Sequence, residues 1–377
     1  MAKDLRFKIK QDMKMFLQNI YLPMVYRVNS FKPVDEALVV FADCHHRTRP
    51  ESMARLVSAA KVKRELKVLE WYRDFSKMSA FAQFKDSVAF MRLYARAGAV
   101  VICDNFLPAS SCKKRKKTKV IQLWHGPGAF KKFGYDAEDD IPSFYKGNVY
   151  KNYDLVTVSG TKCVEPFTSA MRQKEGVVRP IGISRMDSCV REVYKDKCTS
   201  QFFEAYPEAV GKKIVLWAPT FRGNAGRPYL VGLSDMEKLK EKLGKDWFVV
   251  LSIHPHLLGH LKREDLKTKL PTERMIPVCD VFITDYSSVM YDACLLKKKM
   301  FMFAPDLEEF VKGRGTYMQP EDYPGEIVTD GKKLKEAVER TYEAYDYSKQ
   351  ERFVEDWLTA CDGHATERIL DFITEEK

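Results

Sequence analysis

Short apolar runs of four to six residues recur along this chain, each followed by a stretch long enough for a helix, and the series starts twice. Ala37–Ala42, Leu66–Trp71, Val100–Cys103, Val120–Trp124 and Leu155–Val158 form the first series; Ile214–Trp217, Phe248–Ile253, Val281–Thr284 and Met300–Phe303 form the second. These runs show little polar alternation, which is the pattern of strands buried on both faces. Parallel strands need crossover connections, and helical patterns supply them at Pro50–Ala60, Ser87–Ala97, from Thr161, Ser234–Leu243 and Val289–Leu296. Three more helical patterns fill Lys332–Thr374, while Lys195–Gly211 reads as a connection. The expected architecture is α/β: two Rossmann-like domains, 33–200 and 201–377, with a cleft between them. The last helices are expected to cross back to the first domain.

The 377 residues suit two cores, and 45% apolar with 12% aromatic content excludes wholesale disorder. No run approaches the roughly 20 apolar residues of a spanning helix, and no secretory signal pattern opens the chain. The nine cysteines are scattered without a C-x-x-C pair, which argues against a zinc ribbon and fits a reducing compartment. A soluble cytoplasmic protein is expected. Its formal net charge of +11 favours polyanions: nucleic acid, nucleotides or an anionic membrane surface.

Residues 1–32 are the most unusual segment. Leu5, Ile9, Met13, Phe16, Ile20 and Met24 fall on one helical stripe, with Lys3, Arg6, Lys8, Lys10 and Lys14 mostly opposite. Pro23 is expected to bend or end the helix. Two readings stand: a helix lying on anionic lipid, each basic residue contributing about 1 kcal/mol at most, or an amphipathic helix packed on its own domain.

In open α/β sheets ligands bind beyond the carboxyl ends of strands, and four segments place chemistry there. V-I-Q-L-W-H-G-P-G delivers His125, a candidate general base, to a turn formed by Gly126, Pro127 and Gly128. I-V-L-W-A-P-T-F-R-G brings Thr220 and Arg222, the arginine suited to a phosphate. F-V-V-L-S-I-H-P-H places His254 after a strand; the H-x-H-x3-H run through His256 and His260 fits zinc spacing poorly. D-V-F-I-T-D-Y-S-S-V-M-Y-D offers Asp285, then Ser287 and Ser288 at the start of a helix whose free N–H groups suit a phosphate, and Asp292 one turn inside to hold a ribose hydroxyl or orient a donor group. Cys44-His45-His46 reads as a turn or acceptor loop. The runs Lys113–Lys117 and Lys297–Lys299 read as solvated faces, and no P-loop or G-x-G-x-x-G fingerprint is present.

Taken together, Trp124-His125-Gly126, Ala218-Pro219-Thr220-Phe221-Arg222, His254-Pro255, Thr284-Asp285-Tyr286-Ser287-Ser288 with Asp292, and Asp362-Gly363-His364-Ala365 resemble the CDP-glycerol glycerophosphotransferase family of bacterial teichoic-acid synthesis. The resemblance spans roughly residues 95–370 and is nearest the short primase-type members. It implies a GT-B fold, with the acceptor on the N-terminal domain and CDP-glycerol on the C-terminal one. It also implies an undecaprenyl-diphosphate-linked saccharide acceptor, His125 as base and His254 as a partner of the donor diphosphate. Gly126, Thr220, Arg222, Asp285, Ser287, Ser288 and Asp292 would belong to the donor and phosphate shell. Many relatives continue W-H-G as T-P-L-K, whereas Pro127-Gly128-Ala129-Phe130-Lys131 follows here. The expected reaction transfers glycerol phosphate to a hydroxyl and releases CMP, at the inner membrane face, with no tightly bound cofactor and Mg²⁺ dependence open. The alternatives are a GT-B enzyme using CDP-ribitol or a sugar nucleotide, and a basic nucleic-acid-binding protein. No recognition motif for nucleic acid is present, so nucleic acid is not an expected partner.

Overall fold

A computed structural model describes residues 2–137, 140–223, 228–253, 255–313 and 315–375, apart from the side chains of 2–7, 10, 255 and 256. The chain divides into two compact units. The first comprises Met1–His125, Phe133–Asp187 and Ala360–Lys377; the second comprises Gly126–Lys132 and Ser188–Thr359. The main division thus falls at 187/188, not 200/201, and the last helix belongs to the first unit.

The first unit is built on six parallel strands: β1 (Asp35–Asp43), β2 (Lys67–Tyr72), β3 (Ala97–Ile102), β4 (Lys119–Gln122), β5 (Leu155–Thr157) and β6 (Val178–Arg179), in the order β2-β1-β3-β4-β5-β6. Val40 pairs with Leu69 on one side and Val100 on the other, so β1 is interior. One face buries Val39, Phe41, Ala99 and Val101 against Met53, Leu56 and Val57 of helix Glu51–Val62, and against Ile369, Leu370 and Ile373 of helix Ala365–Thr374.

The second unit repeats the logic with β7 (Lys213–Ala218), β8 (Trp247–Leu251), β9 (Val281–Thr284), β10 (Lys299–Phe303) and β11 (Glu326–Val328), all parallel, in the order β11-β10-β9-β7-β8. Val215, Trp217, Ile283 and Phe301 meet Met236 and Leu239 of helix Leu233–Leu243 in its core, with Leu334 and Val338 of helix Leu334–Glu343. In each sheet the direction of winding reverses once, between β1 and β3 and between β7 and β9. Those reversals are where the crossovers diverge to opposite faces and leave the strand ends open to a ligand.

Several expectations are corrected. Residues 195–211 are not a connection: helix Glu192–Ala205 occupies most of them, burying Cys198 and Phe202 at i, i+4, too few apolar positions to read as a stripe. The helix expected at Ser87–Ala97 starts at Ala80, where the Ser79 hydroxyl accepts from the Ala82 N–H, and ends at Tyr94; Ala97 already begins β3. Pro23 does not end the N-terminal helix. Ala2–Phe16 passes through a wide π turn at Leu17–Tyr21 into Leu22–Asn29, and Pro23 sits in the first turn of that last piece, where its missing N–H is tolerated.

The N-terminal helix packs through the face opposite its apolar stripe. Gln18 is fully buried, its amide donating to the carbonyls of Ser110 and Asn148 and its oxygen accepting from the Tyr145 hydroxyl. Tyr26 lies edge-on to Tyr94 at 5.1 Å. Ile9, Met13, Phe16, Ile20 and Met24 are each more than 50% exposed, as are Val28 and Phe31. Lys8 is exposed, while Lys14 leans over the Tyr145 ring at 5.3 Å, and burial lowers its pKa from the ordinary lysine value. The side chains of Lys3, Arg6 and Lys10 lie outside the described residues. Among the described residues no helix is long and apolar enough to cross a membrane.

Candidate active site

At the end of β4 the chain makes a strained exit. Trp124 adopts a left-handed backbone with φ 58°, a conformation that is costly for a bulky residue and needs its surroundings to enforce it. The buried side chain of Gln122 supplies the enforcement: its oxygen accepts the Trp124 N–H at 2.8 Å, while its NH2 donates to the Asp104 carbonyl at 3.0 Å and the Tyr153 hydroxyl at 3.2 Å. The Trp124 ring is held by Phe133 at 5.1 Å and Phe167 at 6.2 Å. His125 stacks on Trp124 with ring centres 4.5 Å apart, and its side chain is 58% exposed.

The switch point between β1 and β3 supplies the charges around that imidazole. Asp104, two residues past β3, has Oδ1 fixed by the Asn105 N–H at 2.6 Å; its Oδ2 lies 3.3 Å from Nδ1 of His125 and 3.7 Å from Nε2 of His45. Burial works against a charged Asp104, but the contact and charge of His125, with His45 behind it, hold its carboxyl below the ordinary aspartate value. Asp43, at the end of β1, is buried and accepts from the N–H groups of His45 and His46 and contacts the His46 ring at 2.9 Å. The Cys44-His45-His46 turn is therefore a tethered loop presenting two exposed imidazoles.

In the second unit the switch point joins the second and fourth motifs. The Thr284 hydroxyl donates to the Ala218 carbonyl at 2.7 Å, and the Thr220 N–H donates to Oδ1 of Asp285 at 2.7 Å. Arg222 is not presented to a phosphate. Four of its five N–H groups are spent: two on Asp306 in a fork (2.7 and 2.9 Å), one on Asp285 (3.0 Å) and one on the Thr220 carbonyl (2.6 Å). Its guanidinium also lies against the stacked rings of Tyr286 and Phe310, and only 5% of the residue is exposed. Desolvation of Asp306 is outweighed by Arg222, which keeps that carboxyl below its ordinary value. Arg222 and Asp285 thus brace the loop after β7.

Ser287 and Ser288 are half-buried at the start of helix Val289–Leu295. Ser288 occupies the cap position but makes no side-chain cap bond; the Ser287 hydroxyl accepts from Val289 N–H only at 3.5 Å. Capping therefore consumes little of either hydroxyl's bonding capacity. Asp292 is buried inside the same helix, and Thr220 and Gly126 are buried too. Gly126–Lys132, the turn after His125, belongs to this unit: Tyr317 N–H donates to the Phe130 carbonyl, Lys132 N–H to the Gly315 carbonyl, and the Tyr291 hydroxyl to the Ala129 carbonyl at 3.1 Å. A Cβ on Gly128 would lie 2.1 Å from the Tyr291 ring, so this position has room only for glycine.

His254 lies outside the described residues. Among the described residues, no group of three or more His, Cys, Asp or Glu could hold a metal ion. The Asp362-Gly363-His364-Ala365 motif leads into the last helix. Gly363 has φ 94°, and the chain turns there into the last helix, whose first N–H groups are received by the distant Asp187.

A sequence model of the family described as CDP-Glycerol:Poly(glycerophosphate) glycerophosphotransferase matches residues 24–375. The chain belongs to that family. The glycerophosphotransferase homologues include a teichoic acid ribitol-phosphate primase of Bacillus spizizenii, 36% identical over 301 residues that cover 76% of this chain and 77% of that protein. A teichoic acid glycerol-phosphate primase of Bacillus subtilis is 28% identical over 73% of each chain. Among solved structures, the wall teichoic acid polymerase TagF aligns with a TM-score of 0.73 at 20% identity, covering 99% of this chain and 97% of that one. A UDP-GlcNAc 2-epimerase of Methanocaldococcus jannaschii aligns at 0.54 and 13% identity over 89% of this chain and 99% of that one. The fold is GT-B-like, and this member of the glycerophosphotransferase family is a transferase of the teichoic-acid primase and polymerase group.

Within that family member, sequence reading missed Asp104, Gln122 and Asp306. Asp104 obeys the post-strand rule that singled out His125, since it directly follows the run Val100–Cys103. Asp306 lies three residues past β10, and its partner Arg222 is 84 residues away.

Proposed function

We propose that the protein transfers glycerol phosphate from CDP-glycerol to a hydroxyl of a membrane-lipid-linked saccharide or polyol-phosphate acceptor, releasing CMP. The observation that carries this reading is the exposed His125 imidazole with one ring nitrogen 3.3 Å from a carboxylate, a base-and-orienter pair at a strand end in a family of phosphotransferases. The acceptor oxygen attacks the β-phosphorus, the bond from that phosphorus to the CMP oxygen breaks, and His125 takes the acceptor's proton. A placed base contributes on the order of 10²–10⁴-fold. Hydroxyls of Ser287 and Ser288 hold the donor phosphates, and His254 meets the donor diphosphate, as the family resemblance implies. The step as written uses no metal; turnover in EDTA, then with added Mg²⁺, tests that.

The acceptor is lipid-linked, and the exposed stripe from Ile9 to Phe31 fits the apolar side of an interfacial helix, with Lys8 exposed beside it. That makes the protein peripheral on the inner face of the cell membrane. A second donor, CDP-ribitol, is favoured by one observation: the 36% identical relative is a ribitol-phosphate primase. The deciding experiment incubates the protein and a soluble undecaprenyl-diphosphate-disaccharide analogue with CDP-glycerol, CDP-ribitol and UDP-sugars, measuring CMP release and product mass. Glycerol phosphate added with CMP release supports the proposal; exclusive use of CDP-ribitol or a UDP-sugar overturns it. Near-normal turnover in a folded His125→Ala protein removes the base.

A further inference from the structure

We infer that Asp104 is the positioning residue of the His125 base, and that Gln122 is the clamp that brings the two into register. This inference rests on His125 being the base. An imidazole works as a base through one nitrogen only if the other carries the proton, and the second nitrogen's partner decides which does. Here Nδ1 of His125 faces Oδ2 of Asp104 at 3.3 Å. An ionised carboxylate can only accept, so the proton is drawn to Nδ1 and the lone pair is left on Nε2.

The carboxylate is itself aimed. The Asn105 N–H takes Oδ1 at 2.6 Å, which leaves Oδ2 for the imidazoles. His45 approaches the same oxygen with Nε2 at 3.7 Å, farther than His125. Other groups around the pair are Asp43, which tethers the His45 turn, and Tyr150 and Tyr153, both with hydroxyls that burial keeps protonated far above neutrality.

Gln122 couples the two loops that carry the pair. One side-chain amide accepts from Trp124 N–H after β4 and donates to the Asp104 carbonyl after β3. The left-handed turn at Trp124 then swings His125 onto the Trp124 ring, with its edge toward Asp104. Asparagine at 104 would keep the shape but offer an N–H to Nδ1, favouring the proton on Nε2 and removing the base.

The test uses the full chain labelled with ¹⁵N-histidine, with the His125 signals assigned by their loss in His125→Gln. Long-range ¹H–¹⁵N correlation of the neutral ring is expected to show the proton on Nδ1; a proton on Nε2 in the unaltered protein overturns the proposal without any variant having to fold. Asp104→Asn, checked for folding, is expected to move the proton to Nε2 and lower kcat about 100-fold with little change in the donor KM. His125→Ala/Asp104→Asn should be no slower than His125→Ala alone, because Asp104 acts through the ring. Additive losses, or a kcat unchanged in Asp104→Asn, overturn the positioning role. An active His125→Ala protein instead overturns the base itself.

Discussion

The Asp187 carboxylate holds Thr366 twice, receiving its backbone N–H at 2.7 Å and its hydroxyl at 2.5 Å, across 179 residues of sequence. The same group receives the Ala365 N–H at 3.1 Å and lies 3.5 Å from the Arg55 guanidinium. A remote side chain thus does the work of a helix N-cap. Asp187→Ala should cost about 2–4 kcal/mol, combining a lost cap with a buried partner left unsatisfied, and should appear as a lower urea midpoint. Asp187→Asn, which retains an acceptor, should lose less.

Arg222 predicts a separation between stability and donor binding. Arg222→Lys loses the fork on Asp306 and leaves buried carboxylates poorly matched, so the thermal midpoint should fall clearly. The affinity for CDP-glycerol in the folded fraction, read by calorimetry, should change less than threefold. A large affinity loss at unchanged stability would return Arg222 to the phosphate.

Gly128 should tolerate nothing larger. Tyr291 cannot retreat, because it is fully buried against Phe353 at 4.9 Å and Trp357 at 6.4 Å. Gly128→Ala is expected to destabilise by about 1–3 kcal/mol and to lower turnover by displacing the chain next to His125. Circular dichroism melts and CMP release measure the two effects.

The N-terminal stripe offers a clean surface test. Phe16→Asp/Ile20→Asp/Met24→Asp alters only exposed positions, so each change should move stability by about 0.5 kcal/mol or less. Co-sedimentation with anionic vesicles should drop sharply. Equal sedimentation of variant and parent would leave the stripe without a lipid role.

Acid should unfold the protein through carboxyls held low. Glu70 receives Arg49 at 2.7 and 2.8 Å and Lys61 at 2.6 Å, and this holds its pKa at about 2 against an ordinary 4.5. A depressed folded value means the stabilisation is complete above pH 4.5 and is lost as pH falls from there toward 2. Asp104 and Asp306 act in the same sense below their ordinary 3.8. The urea midpoint should hold steady from pH 7 to 5 and fall below about 4.5, less steeply in Glu70→Gln.

What was legible in the sequence was what local pattern encodes. Val281–Thr284 is a strand with those very bounds, and His125 and Asp285 were singled out because they follow apolar runs. The stripe from Ile9 to Met24 was legible as a stripe, but periodicity cannot say which face packs, and here Gln18 and Tyr26 took the interior. The bonds that Arg222 makes to Asp306 were not legible, because that contact is closed only by the sheet. Asp104 was overlooked because a lone aspartate after a strand has no signature until the neighbouring strand brings an imidazole to it. Helix Glu192–Ala205 was missed because two buried residues make no pattern.

The chain passes between its two units at four places: after His125, Lys132, Asp187 and Thr359. A fragment stopped at Asp187 would lack Ile369, Leu370 and Ile373, and the sheet face carrying Phe41 and Val101 would lose part of its cover. A fragment begun at Ser188 would lack the turn that pairs with Tyr317 and Gly315. A single cut at 187/188 therefore divides both units, and neither piece carries a whole one.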